Sequence, residues 1–71
     1  MPKLTIKFTT EESFLNAILH FNEMCNLSPD EINDDLKTLS FEVLYDMDII
    51  NIEEEIENVP HIKDYTFKYE N

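Results

Sequence analysis

Apolar and polar residues alternate strictly over Lys3-Leu4-Thr5-Ile6-Lys7-Phe8, with Leu4, Ile6 and Phe8 on one side and Lys3, Thr5 and Lys7 on the other. That period of two predicts a half-buried strand over 3–8. Thr9-Thr10-Glu11-Glu12 then reads as a helix start, with Thr9 as N-cap and Glu12 at the third helical position, a capping box. Phe14, Leu15, Ile18, Leu19, Phe21, Met24 and Cys25 recur at helical spacing and give that helix a broad apolar face to about residue 26. Ser28-Pro29-Asp30-Glu31 carries a second capping box with Pro at the first helical position, where its missing N–H costs nothing. It predicts a short helix with Ile32, Leu36 and Leu39 turned inward and Asp30, Asp34 and Asp35 turned outward.

Leu39, Phe41, Val43 and Tyr45 alternate with Ser40, Glu42 and Leu44, which predicts a second strand over about 39–45. Over 46–59, Ile49, Ile52, Ile56 and Val59 step by three and four as a helical stripe, with Asp48 or Asn51 as its cap. A hairpin turning at Asp46-Met47-Asp48 is the rival reading; Glu53-Glu54-Glu55 favours the helix, because glutamate is a poor strand former and a good helix former. Pro60 ends this helix, and Tyr65, Phe67 and Tyr69, alternating with Asp64, Thr66 and Lys68, predict a last strand over about 64–70. The order β-α-α-β-α-β implies an α+β two-layer sandwich, a small three-stranded sheet with its helices on one face.

Length and composition narrow the function. Seventy-one residues allow one compact domain and exclude a two-lobed enzyme. The chain has no glycine. Phosphate-cradling loops, which need glycine for close backbone approach, are therefore absent, and connection through helices is favoured over tight hairpins. No apolar run approaches the roughly 20 residues of a membrane span. No secretory signal pattern opens the sequence, and the single Cys25 has no internal disulfide partner. A reducing, cytoplasmic setting is the expectation.

Charge changes the picture most. Sixteen acids stand against five lysines, a formal net charge of −11. All the lysines fall at Lys3, Lys7, Lys37, Lys63 and Lys68, so seven acids and no base lie between residues 8 and 36, and seven more between 38 and 62. Ordinary soluble helices interleave Glu and Lys to gain i,i+4 pairs worth a few tenths of a kcal/mol; this chain forgoes them and accepts self-repulsion. Acids one helical turn apart, such as Glu53 and Glu57, stand about 5–6 Å apart, a spacing and sign that resemble a nucleic-acid backbone. A purely solvated surface is the competing account. The candidate partner-binding residues are Asp46, Asp48, Glu53, Glu54 and Glu57, with Asp30, Asp34 and Asp35 as a second patch. Leu44, Met47 and Ile50 are surplus to the core stripes and would form an apolar patch rimmed by carboxylates. Tyr45, Tyr65, Phe67 and Tyr69 are assigned to the core.

Catalytic equipment is sparse. His20 and Cys25, five residues apart, point about 140° away from each other on a helix. Cys25 falls on the apolar face as a structural thiol, and His61 falls in a loop after Pro60. Asp46, Asp48 and Glu57 superficially match a calcium loop, but Ile50 takes a ligand position and Asn51 stands where glycine is needed. One Cys and two His do not build a tetrahedral zinc site. No catalytic residue, dedicated metal site or cofactor is expected, and direct nucleic-acid binding is electrostatically unfavourable.

In size, acidity and lack of catalytic residues, the chain resembles the small inhibitors that phages and mobile elements direct against nucleic-acid-handling host proteins, such as anti-CRISPR, anti-restriction and uracil-glycosylase-inhibitor proteins. The resemblance is one of type and carries no motif. It implies a non-enzymatic inhibitor that blocks a basic nucleic-acid-binding protein of the host by mimicry. The alternative is a small adaptor, immunity or antitoxin-like protein that docks through an apolar patch or a sheet edge, where it could also pair with its own copy.

Overall fold

The computed structural model describes residues 2–23 and 27–71. In chain order these form β1 (Lys3–Phe8), α1 (Glu11–Asn22), β2 (Glu31–Asn33), β3 (Thr38–Glu42), α2 (Asp46–Glu57) and β4 (Tyr65–Glu70). The α+β class stands, with two helices and a four-stranded antiparallel sheet in the order β2-β3-β1-β4. Each helix joins two strands of the same direction with a third strand lying between them. This is the double split β-α-β connectivity of the ferredoxin-like arrangement.

The sheet is built outward from β1. Leu4, Ile6 and Phe8 face Phe41 and Leu39 on β3, and on the other flank they face Tyr69, Phe67 and Tyr65 on β4. Period two thus gathers the apolar residues on one side, where Phe14, Ala17 and Phe21 of α1 and Ile52 and Ile56 of α2 close the core with Val43 and Val59. Phe21 meets Phe41 edge-on at 5.2 Å, and Phe14 meets Phe8 at 6.2 Å. These contacts fix α1 across the two central strands.

Two features of the sequence reading change. Residues 31–33 are a strand where the second capping box predicts a helix, so the order is β-α-β-β-α-β and the sheet has four strands. The Asp30 N–H donates to the Ser40 carbonyl at 2.8 Å, and the Asp30 carboxylate accepts the Glu42 N–H at 2.6 Å. The acid that would begin a helix instead bonds across to β3. Ile32 and Leu36 are exposed, so the apolar stripe expected of an inward helix face does not exist. The hairpin between β2 and β3 forms without glycine: Asn33 Oδ1 accepts the Leu36 N–H at 3.0 Å, and Lys37 takes the left-handed backbone at φ 56°. A non-glycine residue there costs about 1–2 kcal/mol. The Lys37 carbonyl offsets it by accepting the Phe8 N–H at 2.9 Å.

The helix starts are also sharper than the sequence suggests. Thr10, one residue after the expected Thr9, caps α1 by accepting the Ser13 N–H at 3.2 Å. Thr9 instead donates its hydroxyl to the Asp64 carbonyl at 3.1 Å. Buried Ser13 accepts the Lys63 N–H at 2.9 Å, which ties the segment before β4 to the start of α1. Leu15 and Leu19 of the expected apolar face are exposed; Met24 and Cys25 lie outside the described residues.

Candidate anionic interaction surface

On the face of the sheet away from the helices, the register places Lys3 and Lys7 of β1, Lys68 of β4, and the acids Glu31, Glu42 and Glu70 of β2, β3 and β4. Lys3 lies opposite both Glu42 and Glu70, and its Nζ is 4.0 Å from Glu31. At the centre, the hydroxyls of Thr5 and Ser40 are hydrogen-bonded at 3.0 Å. Asp64, which continues the line of β4 opposite Thr9, adds a fourth acid, so three lysines against four acids leave this face at a formal charge of only −1. The other twelve of the sixteen acids stand against only two of the five lysines, Lys37 and Lys63, so −10 of the net −11 is carried by the helices and loops.

Helix α2 concentrates part of that charge. Asp46, Glu53 and Glu57 are separated by seven and four residues, which aligns them along one side over about 16 Å of helix. Glu54 lies beside them, and all four are exposed. Among the described residues the ion pairs are Lys3–Glu31 and His20–Glu55, so none of these four carboxylates is neutralised by a described cation. Leu44, just before α2, and Met47 and Ile50 in its first turns are exposed as well, at 64%, 61% and 46%. Tyr45 is exposed at 72%. The sequence assigns Tyr45 to the core through a strand reaching residue 45, but the strand ends at Glu42 and Tyr45 stands at the N-cap of α2. Four large apolar or aromatic side chains at the start of α2, Leu44, Tyr45, Met47 and Ile50, are thus exposed.

Not every candidate acid has its charge free for a partner. Asp48 is half-buried, and its Oδ2 accepts the Leu44 and Tyr45 N–H groups at 3.2 and 3.1 Å, which caps the first turn of α2. Asp30 braces β3 through the Glu42 N–H. Asp34 and Asp35 lie exposed in the turn at the other end of β2. Four residues of extended chain separate Asp30 from Asp34, about 13 Å. The helix expected over this segment would have turned Asp30 and Asp34, four residues apart, to one side; the strand places them at its two ends. Glu55, outside the sequence-derived site, meets His20 Nε2 at 2.6 Å and bridges the two helices. Its position in a run of glutamates gave no signal of that contact.

These roles separate in a stability measurement. Asp48→Ala removes two acceptor contacts at a helix start and is expected to cost about 1–2 kcal/mol, whereas Glu53→Ala is expected to stay within about 0.5 kcal/mol of the parent. Urea denaturation of the two variants makes the comparison; equal effects would contradict the assignment of Asp48 as a cap.

No protein-family model matches the chain, and no curated protein or solved structure is significantly similar to it.

Proposed function

We propose that this chain is a non-enzymatic inhibitor that occupies the positively charged nucleic-acid site of a partner protein, in competition with DNA or RNA. The observation that carries the reading is the segregation of charge: a nearly neutral sheet face, with −10 of the net −11 on the helices and loops. A Lys/Arg groove built for phosphates every few ångströms attracts such a surface over roughly a Debye length, about 8–10 Å at physiological salt. The line Asp46, Glu53 and Glu57, with Glu54 beside it, is the element of this surface assigned to the contact. Leu44, Met47 and Ile50 would add a desolvated centre inside the acidic rim, the usual anatomy of a specific interface. Such a protein belongs functionally with the small acidic inhibitors it resembles.

The exposed apolar group at the start of α2 also favours a second reading, an adaptor or antitoxin-like protein in which the acids serve solubility. Salt separates the two. Capture of partners from a lysate at low and at high ionic strength is expected to recover a nucleic-acid-binding protein at low salt and lose it at high salt. A partner held equally under both conditions would replace mimicry with apolar docking.

A further inference from the structure

The two edges of the sheet are unlike. β2 is three residues long and is flanked by Asp30 and by Asp34-Asp35, charges that discourage pairing with another strand. β4 is six residues long, Tyr-Thr-Phe-Lys-Tyr-Glu, with no proline. The sequence assigns Phe67 and Tyr69 to the core, and the register does place them opposite buried Ile6 and Leu4 on the helix side. They are nevertheless 40% and 50% exposed, because β4 is the outermost strand. A long edge of alternating aromatics with unpaired backbone groups is a template for a further strand.

We infer that this strand is a second copy of β4, laid antiparallel about a two-fold axis at Thr66 so that two sheets join into one of eight strands. An antiparallel pair related by a two-fold axis keeps directly opposed side chains on the same face, so only registers centred on a residue are available. Centring on Lys68 sets two ammonium groups against each other. Centring on Phe67 sets Asp64 against Glu70 of the second copy. Centring on Tyr69 sets Lys68 against Glu70 of the second copy but opposes Phe67 to Asn71, so it gains the charge pairs without the aromatic ones. Centring on Thr66 sets Asp64 against Lys68 of the second copy, twice, on the open face. On the helix face the same register sets Tyr65 against Phe67 of the second copy, also twice. Asp64 already runs beside β1, its carbonyl accepting the Thr9 N–H at 3.3 Å, so it continues the line of the strand. Opposite charges and aromatic pairs directly across a ladder each favour association, and Thr66 faces its own copy at the axis.

This inference rests on the edge and its register and is independent of the proposed function. Because each copy carries −11, association between copies should strengthen as salt screens their repulsion, opposite to capture of a basic partner. Sedimentation equilibrium across protein concentration and salt reads the dimer. Lys68→Asp places like charges opposite each other and is expected to weaken it at least tenfold. Adding Asp64→Lys restores both the pairing and the parent net charge, and is expected to restore the dimer. In a Cys25→Ser background, Thr66→Cys is expected to form an intermolecular disulfide on mild oxidation and Tyr69→Cys is not. A chain monomeric at every concentration and salt would overturn the proposal. So would a dimer indifferent to Lys68→Asp, or cross-linking at residue 69 in preference to 66. Circular dichroism of each variant confirms that loss of association is not loss of fold.

Discussion

Phe21→Ala is expected to destabilise the protein by about 3–5 kcal/mol, the cost of emptying an aromatic site in a packed core. Phe21 is fully buried, and its ring meets Phe41 at 5.2 Å, so it joins α1 to a central strand of the sheet. Little is available to refill the space. The core comprises side chains from both helices and the two central strands in a single layer between them. Domains of this size sit near the lower end of the roughly 5–15 kcal/mol range of folding stability, so the variant should be substantially unfolded at physiological temperature. Leu19→Ala, two positions earlier on the same helix and 63% exposed, is expected to change stability by less than about 0.5 kcal/mol. Urea denaturation of the pair tests the assignment of the core: similar midpoints would mean that α1 does not pack on β3 as described.

Reversing charge on α2 is expected to act on association and leave folding nearly intact. Glu54 and Glu57 are exposed and meet no described cation. Glu54→Lys with Glu57→Lys therefore removes no structural contact and adds cations to a helix that has none. Stability should hold or rise slightly as self-repulsion falls. Association with a basic nucleic-acid-binding partner should slow by about tenfold or more, because charge complementarity governs the encounter rate before it governs the lifetime of the complex. The slope of the association rate against salt should flatten. If the rate and its salt dependence match those of the parent, the acidic side of α2 is not the surface that meets the partner. The remaining candidates are then the apolar group at Leu44, Tyr45, Met47 and Ile50, and the edge of β4.

Much of the architecture is legible in the chain because period is a strong signal where one face is buried. β1 begins and ends where the alternation does, and the stripe Ile49, Ile52, Ile56 and Val59 marks the inward side of α2 and the segment after it, with Ile52, Ile56 and Val59 buried. β2 was hidden by its own capping signature. Ser28-Pro29-Asp30-Glu31 satisfies the local rules for a helix start, and what overrides them is a cross-strand hydrogen bond that the Asp30 carboxylate accepts from the N–H of Glu42, twelve positions away. The absence of glycine is similarly a weaker bar to a hairpin than backbone sterics alone suggest, since Lys37 takes the left-handed conformation and its carbonyl pairs with β1.

The candidate surface is partly legible. Long lysine-free stretches show in the sequence, but the near-neutrality of the sheet face depends on which strands are neighbours. That order places Lys3 between Glu42 and Glu70. The individual roles of the acids needed coordinates as well: Asp48 caps, Asp30 braces, Glu55 bridges, and Asp46, Glu53, Glu54 and Glu57 face outward.

Competition with nucleic acid tests the account at its centre. A partner captured at low salt on the immobilised protein is challenged with duplex DNA or single-stranded RNA at constant ionic strength, and the fraction released is measured. Displacement that rises with added nucleic acid, and a parallel failure of the Glu54→Lys, Glu57→Lys variant to capture that partner, is the predicted result. A partner that stays bound while its own nucleic-acid site fills would contradict it.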